Sequence, residues 1–91
     1  NNPFGIAISL DNNFLFVCDL FNNIIRQIQI SNANVTTLTG STTAGFQDGT
    51  LNQARFVLPI GITLNSLGEI FVSEYNNERV RKISISQNQV T

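Results

Sequence analysis

The stretch Pro3-Phe4-Gly5-Ile6-Ala7-Ile8 recurs later in the chain as Pro59-Ile60-Gly61-Ile62-Thr63-Leu64. An apolar pair follows each copy, Phe16-Val17 in the first and Phe71-Val72 in the second. Self-similarity at this spacing is typical of repeat proteins, in which one supersecondary unit is used several times. We therefore expect two consecutive copies of the same structural unit.

Each copy is predicted to contain four short antiparallel strands, so the fold class is all-β. In the first copy, residues 14–18 are continuously apolar, which indicates a strand covered on both faces. Residues 24–30 alternate between apolar and polar, as in a strand further from the core. Residues 35–39 are β-branched and rich in Thr, which favours an edge strand in contact with solvent.

The repeat also predicts the organisation of the chain. Residues 1–40 form the first unit, residues 41–58 a long connection, and residues 59–91 a second unit with a truncated outer strand. A connection of this length needs anchors, and Phe46 and Phe56 are the expected ones. Two open-ended units leave an apolar face at each end, so we expect further repeats of the same chain, or copies of it, as partners.

Composition excludes several classes of partner. The 91 residues have a formal net charge of -1, so no overall field attracts DNA. The longest apolar run is too short to span a bilayer. Charged residues make up 12% of the chain, about half the usual share, and uncharged polar residues replace them. This bias favours an extracellular or cell-surface location.

No catalytic, metal-binding or cofactor-binding residue is predicted. The chain has no His and a single Cys, so it cannot by itself supply a Cys-His pair or a Ser-His-Asp triad. Cys18 lies in an apolar run, where a thiol behaves as a small hydrophobic group. Asp48-Gly49 is interpreted as a turn, because calcium needs six or more oxygen ligands and no Asp-x-Asp spacing is present.

The repeated residues resemble NHL repeats. The pattern comprises Pro-x-Gly-Ile, the apolar pair, an acidic residue, an Asn-containing loop and the runs Ile25-Arg26-Gln27-Ile28 and Val80-Arg81-Lys82-Ile83. The connection, with Gly45-Phe46-Gln47-Asp48-Gly49 and Ala54-Arg55-Phe56, resembles that of the longer NHL variety. The resemblance implies a β-propeller, commonly six-bladed, in which each four-stranded repeat is one blade, so that this chain covers about two blades.

Residues present in both copies are interpreted as structural. The Arg of each copy follows the acidic residue by seven positions, and we expect it to hold the blade together through an ion pair or through hydrogen bonds to loop carbonyls. The proposed structural residues are Pro3, Gly5, Asp19, Arg26, Pro59, Gly61, Glu74 and Arg81.

Residues that differ between the copies are better candidates for partner contacts. They lie in the loop between the second and third strands, where exposed aromatic side chains would suit a recognition surface. The candidates are Phe21, Asn22, Tyr75, Asn76 and Arg79. In the cluster Arg79, Arg81 and Lys82, strand alternation places the two arginines on one face and the lysine on the other, and we expect a largely solvated edge. Asn34-Val35-Thr36 matches the glycosylation acceptor pattern.

Three functions remain open at this point. The first is a non-enzymatic scaffold for interaction or assembly that binds a protein or glycan partner. The second follows from the resemblance: part of a metal-dependent lyase or hydrolase whose catalytic residues lie in other blades. The third is an RNA-binding propeller, for which only Tyr75 and Arg79 supply suitable side chains.

Overall fold

The computed structural model describes residues 3–75 and 79–91. They form two four-stranded antiparallel sheets, ordered β1-β2-β3-β4 and β5-β6-β7-β8, and within these ranges there is no α-helix. Nor does the described part of the chain include a helix with the length and apolar character to cross a membrane. The all-β prediction is confirmed. The strands are β1 Pro3–Ile8, β2 Phe14–Asp19, β3 Ile24–Gln29, β4 Asn34–Gly40, β5 Pro59–Leu64, β6 Ile70–Glu74, β7 Val80–Ser84 and β8 Gln89–Val90.

The two sheets are structural copies of each other. Ile6 lies opposite Val17 in the first sheet, and its equivalent Ile62 lies opposite Val72 in the second. Both inner strand pairs shift register just after their proline, between Pro3 and Ile6 and between Pro59 and Gly61. Because a register shift of one residue would reverse every side chain, this agreement means that equivalent residues point the same way in both sheets.

The sheets stack face to face and enclose the core. The first sheet contributes Phe16, Cys18 and Ile25, and the second contributes Ile70, Val72, Ile83 and Val90. Burying a side chain of this kind stabilises the fold by roughly 1.5–3 kcal/mol, so this contact is the main link between the units. The connection (residues 41–58) completes the core with Ala54 and Phe56, both fully buried.

Each sheet also has an open face. On the first sheet, Ile6, Ile8 and Val35 are exposed. The equivalent positions of the second sheet are Ile62, Leu64 and Val90, which all pack in or against the core. The open face of the first sheet therefore carries the same kinds of residue as the face with which the second sheet packs.

Close approach of the inner strands explains the repeated glycine. A Cβ built on Gly5 would lie 2.6 Å from the carbonyl oxygen of Ile60, a backbone atom that cannot move aside cheaply. At Gly61 a Cβ would lie 2.6 Å from Ser73 Oγ, which accepts a hydrogen bond from the Gly61 N–H at 3.2 Å. A side chain at Gly5 would push β1 and β5 apart, whereas one at Gly61 would displace the Ser73 hydroxyl from its hydrogen bond.

Candidate functional site

Both loops between the second and third strands are tied to one residue of the connection. After β2 the chain makes a single 3-10 turn, Leu20–Asn22, which ends at Asn23 in the left-handed conformation. The Leu58 N–H donates to Asn23 Oδ1 at 2.9 Å, and the Leu58 carbonyl accepts from the Tyr75 N–H at 2.9 Å. These bonds hold Leu58 at φ 48°, a conformation that costs a non-glycine residue energy.

This arrangement creates an apolar groove at the junction of the two units. Its walls are Leu20, Phe21, Leu58, Ile60 and Tyr75, and its volume is about 370 Å³. Leu20 is buried and anchors the turn, whereas Phe21 is 61% exposed and Tyr75 is 52% exposed. Two aromatic side chains that are more than half exposed thus line one apolar groove, which makes the groove the candidate binding surface.

The structure brings only some of the predicted contact residues together. Phe21 and Tyr75 line the same groove. Asn22 is used by the fold, because its side-chain amide donates to Asp19 Oδ2 at 3.0 Å. Arg79 instead lies over the Phe46 ring, 3.6 Å from its centroid, and Asn76 lies outside the described residues.

Leu58 and Ile60 were missed by sequence reasoning. Neither forms a motif, and the left-handed Leu58 has no signal of the kind that glycine or asparagine would provide. Their role depends on a hydrogen bond to Asn23, which lies far away in sequence.

Arg81 is the centre of a buried polar cluster. Its guanidinium donates to the carbonyl of Arg55 at 2.8 Å and to that of Gln47 at 2.9 Å. It also pairs with Asp48 at 3.0 Å and with Glu74 at 3.3 Å. The expectation of a solvated edge at residues 79–82 is wrong for Arg81, whose side chain is only 1% exposed, because the connection folds over it.

The two phenylalanines of the connection differ. Phe56 is fully buried and anchors the connection in the core, whereas Phe46 is 53% exposed and lies outside the core. Phe46 is held instead by stacking, with the guanidinium carbons of Arg79 and Arg81 at 3.6 and 4.6 Å from its ring centroid. Lys82 points to the other face, as alternation predicts, and pairs with Glu69 at 3.5 Å.

The equivalent cluster of the first sheet makes fewer contacts. Arg26 Nε donates to Asp19 Oδ2 at 3.1 Å and Arg26 Nη1 to Thr37 Oγ1 at 3.3 Å. The Arg26 side chain is 32% exposed. Asp19 is only 9% exposed in its side chain, yet its Oδ1 is buried without a hydrogen-bond partner among residues 3–75 and 79–91.

The remaining candidates for chemistry are the Cys18 thiol, possible metal ligands and the Asn34 glycosylation acceptor. Cys18 is fully buried, and burial raises the pKa of its thiol to about 12, so the reactive thiolate is absent at neutral pH. In the two described ranges, no three His, Cys, Asp or Glu side chains lie close enough to hold a metal ion. Asn34 is exposed at the first residue of β4, where its glycosylation stays a prediction.

Comparison with known proteins identifies the repeat. The family model for the NHL repeat matches residues 56–83, which include β5, β6 and β7. The chain is 28% identical over 88 residues to Protein SUPPRESSOR OF QUENCHING 1, chloroplastic, from Arabidopsis thaliana, covering 97% of this chain and 8% of that protein. It is 26% identical over 97 residues to the human NHL repeat-containing protein 2, covering 99% of this chain and 13% of that protein.

A solved structure shares the fold. The match is to a structural genomics protein of unknown function from Bacteroides thetaiotaomicron, with a TM-score of 0.81 and 26% identity. It covers 89% of this chain and 20% of the other. The chain thus spans only a small part of each of these relatives. The second sheet carries the match to the NHL-repeat model and the first sheet repeats its strand order and register, so residues 56–83 are an NHL repeat and the two sheets correspond to about two blades of a β-propeller.

Proposed function

We propose that the chain is a non-enzymatic scaffold that binds a protein partner through the groove of Leu20, Phe21, Leu58, Ile60 and Tyr75. The observation that supports this proposal is the pair of exposed aromatic side chains, Phe21 and Tyr75, held on opposite units around one apolar cleft. The volume of about 370 Å³ suits one or two large apolar side chains of a partner.

The chemistry of the groove favours a protein over a glycan. A glycan needs several hydrogen bonds in addition to stacking, but the two described amides next to Phe21 already make hydrogen bonds within the fold. The Asn22 amide donates to Asp19, and the Asn23 amide oxygen accepts from Leu58. Among the five lining side chains, only the Tyr75 hydroxyl can form a hydrogen bond.

The open faces support a second part of the same proposal, which is assembly with further repeats. The open face of the first sheet matches the packing face of the second, with Ile6 and Ile8 in place of Ile62 and Leu64. On the second sheet, Val80 and Phe71 border an apolar depression at the positions that Ile25 and Phe16 occupy in the first. We propose that another NHL-type unit, from the same chain or from a copy, packs on each open face.

Light scattering tests the assembly. The isolated 10.0 kDa chain is expected to associate with itself, because each open face would otherwise leave apolar side chains in water. A stable 10.0 kDa monomer would contradict this part of the proposal.

Selection from a displayed peptide library tests the groove. The selected peptides should carry a large apolar side chain, and Phe21→Ser should abolish their binding. Leu67→Ser is the matched control, since Leu67 is an exposed apolar side chain that does not line the groove. Binding that tolerates Phe21→Ser, or that Leu67→Ser removes equally, would refute the groove as the binding surface.

A further inference from the structure

The polar clusters around Arg81 and Arg26 are built from equivalent residues, but only the cluster around Arg81 contacts the connection. Around Arg81, the connection supplies the carbonyls of Gln47 and Arg55 and the carboxylate of Asp48. It also supplies the N–H of Val57, which donates to Glu74 Oε2 at 2.8 Å. Every one of these groups comes from residues 47–57, so a single segment covers the site, where only Glu74 Oε1 and Arg81 Nε lack a partner among the described residues.

The cluster around Arg26 lacks such a segment within the described residues. Arg26 makes one ion pair, with Asp19, and one bond to Thr37. Asp19 Oδ1 is buried and unpartnered there, and so is the equivalent Glu74 Oε1 of the other cluster, so the two sites differ in the contacts of the arginine rather than in this oxygen. The Arg26 side chain is a third exposed, and its guanidinium has N–H groups left to donate.

We propose that the Asp19–Arg26 pair is a binding site for a second connection of the type formed by residues 45–57. Its occupant would be an extended segment with an aromatic residue, an acidic residue two positions later and a second aromatic residue near its end. Two carbonyls and the acidic side chain would accept from Arg26, and a backbone N–H would donate to Asp19. This proposal rests on the proposed assembly with further repeats. It adds the hydrogen bonds and the ion pair by which one repeat would bind the next.

The geometry of the first sheet supports this occupant. Equivalent residues point the same way in both sheets, so a segment that passes over Arg81 before entering β5 has an equivalent path over Arg26 before β1. The exposed Ile6 and Ile8 lie on the same face of the first sheet as Asp19 and Arg26, since paired residues of β1, β2 and β3 share that face. A packed unit and its connection would thus cover apolar and polar residues together.

A labelled peptide with the sequence of residues 43–57 is the probe. Fluorescence anisotropy should show saturable binding to the chain, and Arg26→Met should weaken it at least about tenfold, because the acidic side chain and carbonyls of the peptide lose their donor. Asp48→Asn within the peptide should weaken binding as well. Lys82→Met is the matched control, since it removes an equal charge from an exposed side chain and should leave the affinity unchanged.

A tethered form of the same segment gives a second measurement. A copy of residues 41–56 fused directly ahead of Asn1 should raise the melting temperature of the chain, and Arg26→Met should cancel most of that increase. The proposal would be overturned if Arg26→Met left the peptide affinity unchanged, or if the added segment did not raise the melting temperature. The light-scattering and library experiments do not depend on Arg26. A negative result for the Asp19–Arg26 binding site is therefore distinguishable from a negative result for assembly or for the groove.

Discussion

Arg26 and Arg81 occupy equivalent positions in two sheets of the same design, yet one is a third exposed and the other is buried. Each follows an acidic residue by seven positions and pairs with it across neighbouring strands. The difference comes from the connection, which covers Arg81 and offers it two carbonyls and a carboxylate. The repeated motif therefore specifies the ion pair, while the contribution of that pair to stability depends on whether another segment covers it.

Replacement of each arginine tests this comparison most directly. Arg81→Met leaves Glu74 buried without its cation, so it should lower the free energy of unfolding by about 3–5 kcal/mol. Arg26→Met should cost less, about 1–2 kcal/mol, because the Arg26 side chain is a third exposed and Asp19 keeps the hydrogen bond from the Asn22 amide. Urea denaturation at fixed protein concentration measures both values. The double variant Glu74→Leu, Arg81→Met should recover part of the lost free energy of unfolding. Equal losses for Arg81→Met and Arg26→Met would contradict a difference in burial between the two sites.

The two phenylalanines of the connection extend the comparison to its anchors. Phe56→Ala removes a fully buried ring from the core and should cost about 3–4 kcal/mol. Phe46→Ala removes a half-exposed ring that stacks on Arg79 and Arg81, at a cost of about 0.5–1 kcal/mol. The shift in urea midpoint should be several times larger for Phe56→Ala. A larger effect at Phe46 would mean that the arginine stack, rather than the core, holds the connection in place.

Glycine substitutions test the close approach of the inner strands. Gly5→Ala should lower stability by about 1–3 kcal/mol, because the added Cβ would lie 2.6 Å from the Ile60 carbonyl oxygen. Gly45→Ala serves as the control, since its Cβ would meet only the flexible Arg55 side chain at 3.4 Å and should change stability by less than about 0.5 kcal/mol. Thermal unfolding of the two variants should therefore differ, and equal melting temperatures would argue against a tight contact between β1 and β5.

The smallest expected effect concerns the turn that precedes β6. The hydrogen bond from Asn65, assisted by the charge of Lys82, lowers the pKa of Glu69 from its ordinary value of 4.5. A carboxylate whose folded pKa is depressed contributes stability above its unfolded pKa and loses it as pH falls through the folded pKa. Melting temperatures measured below pH 4.5 should thus fall less steeply for Glu69→Gln than for the unmodified chain. If the melting temperatures of Glu69→Gln and of the unmodified chain fall equally with pH, the Glu69 carboxylate contributes nothing to stability.

The strands were predictable because their signals are local. Proline, glycine and the apolar runs mark β1, β2, β5 and β6, and short turns rich in Asn and Asp separate them. The predicted third strand extended one residue too far, to Ile30, because alternation continues past the last ladder pair at Gln29. Such errors at strand ends are expected, since pairing rather than pattern decides where a strand stops.

The candidate site was predictable only in part. Phe21 and Tyr75 stand out as differences between otherwise similar copies, and the structure places both in the groove. Leu58 and Ile60 belong to the same groove but carry no distinguishing pattern, because they reach it through the path of the connection. The same path buries Arg81 and leaves Phe46 outside the core.

By itself, the sequence determined that the chain consists of two copies of one four-stranded antiparallel unit, because hydrophobic periodicity and turn residues act over a few positions. Only the tertiary structure decided which arginine is buried, which phenylalanine anchors the connection, and which residues line the groove. Those outcomes depend on contacts between residues that lie far apart in the sequence, such as Asn23 with Leu58 and Gln47 with Arg81. Burial is set by whatever covers a side chain, and a local pattern does not record that.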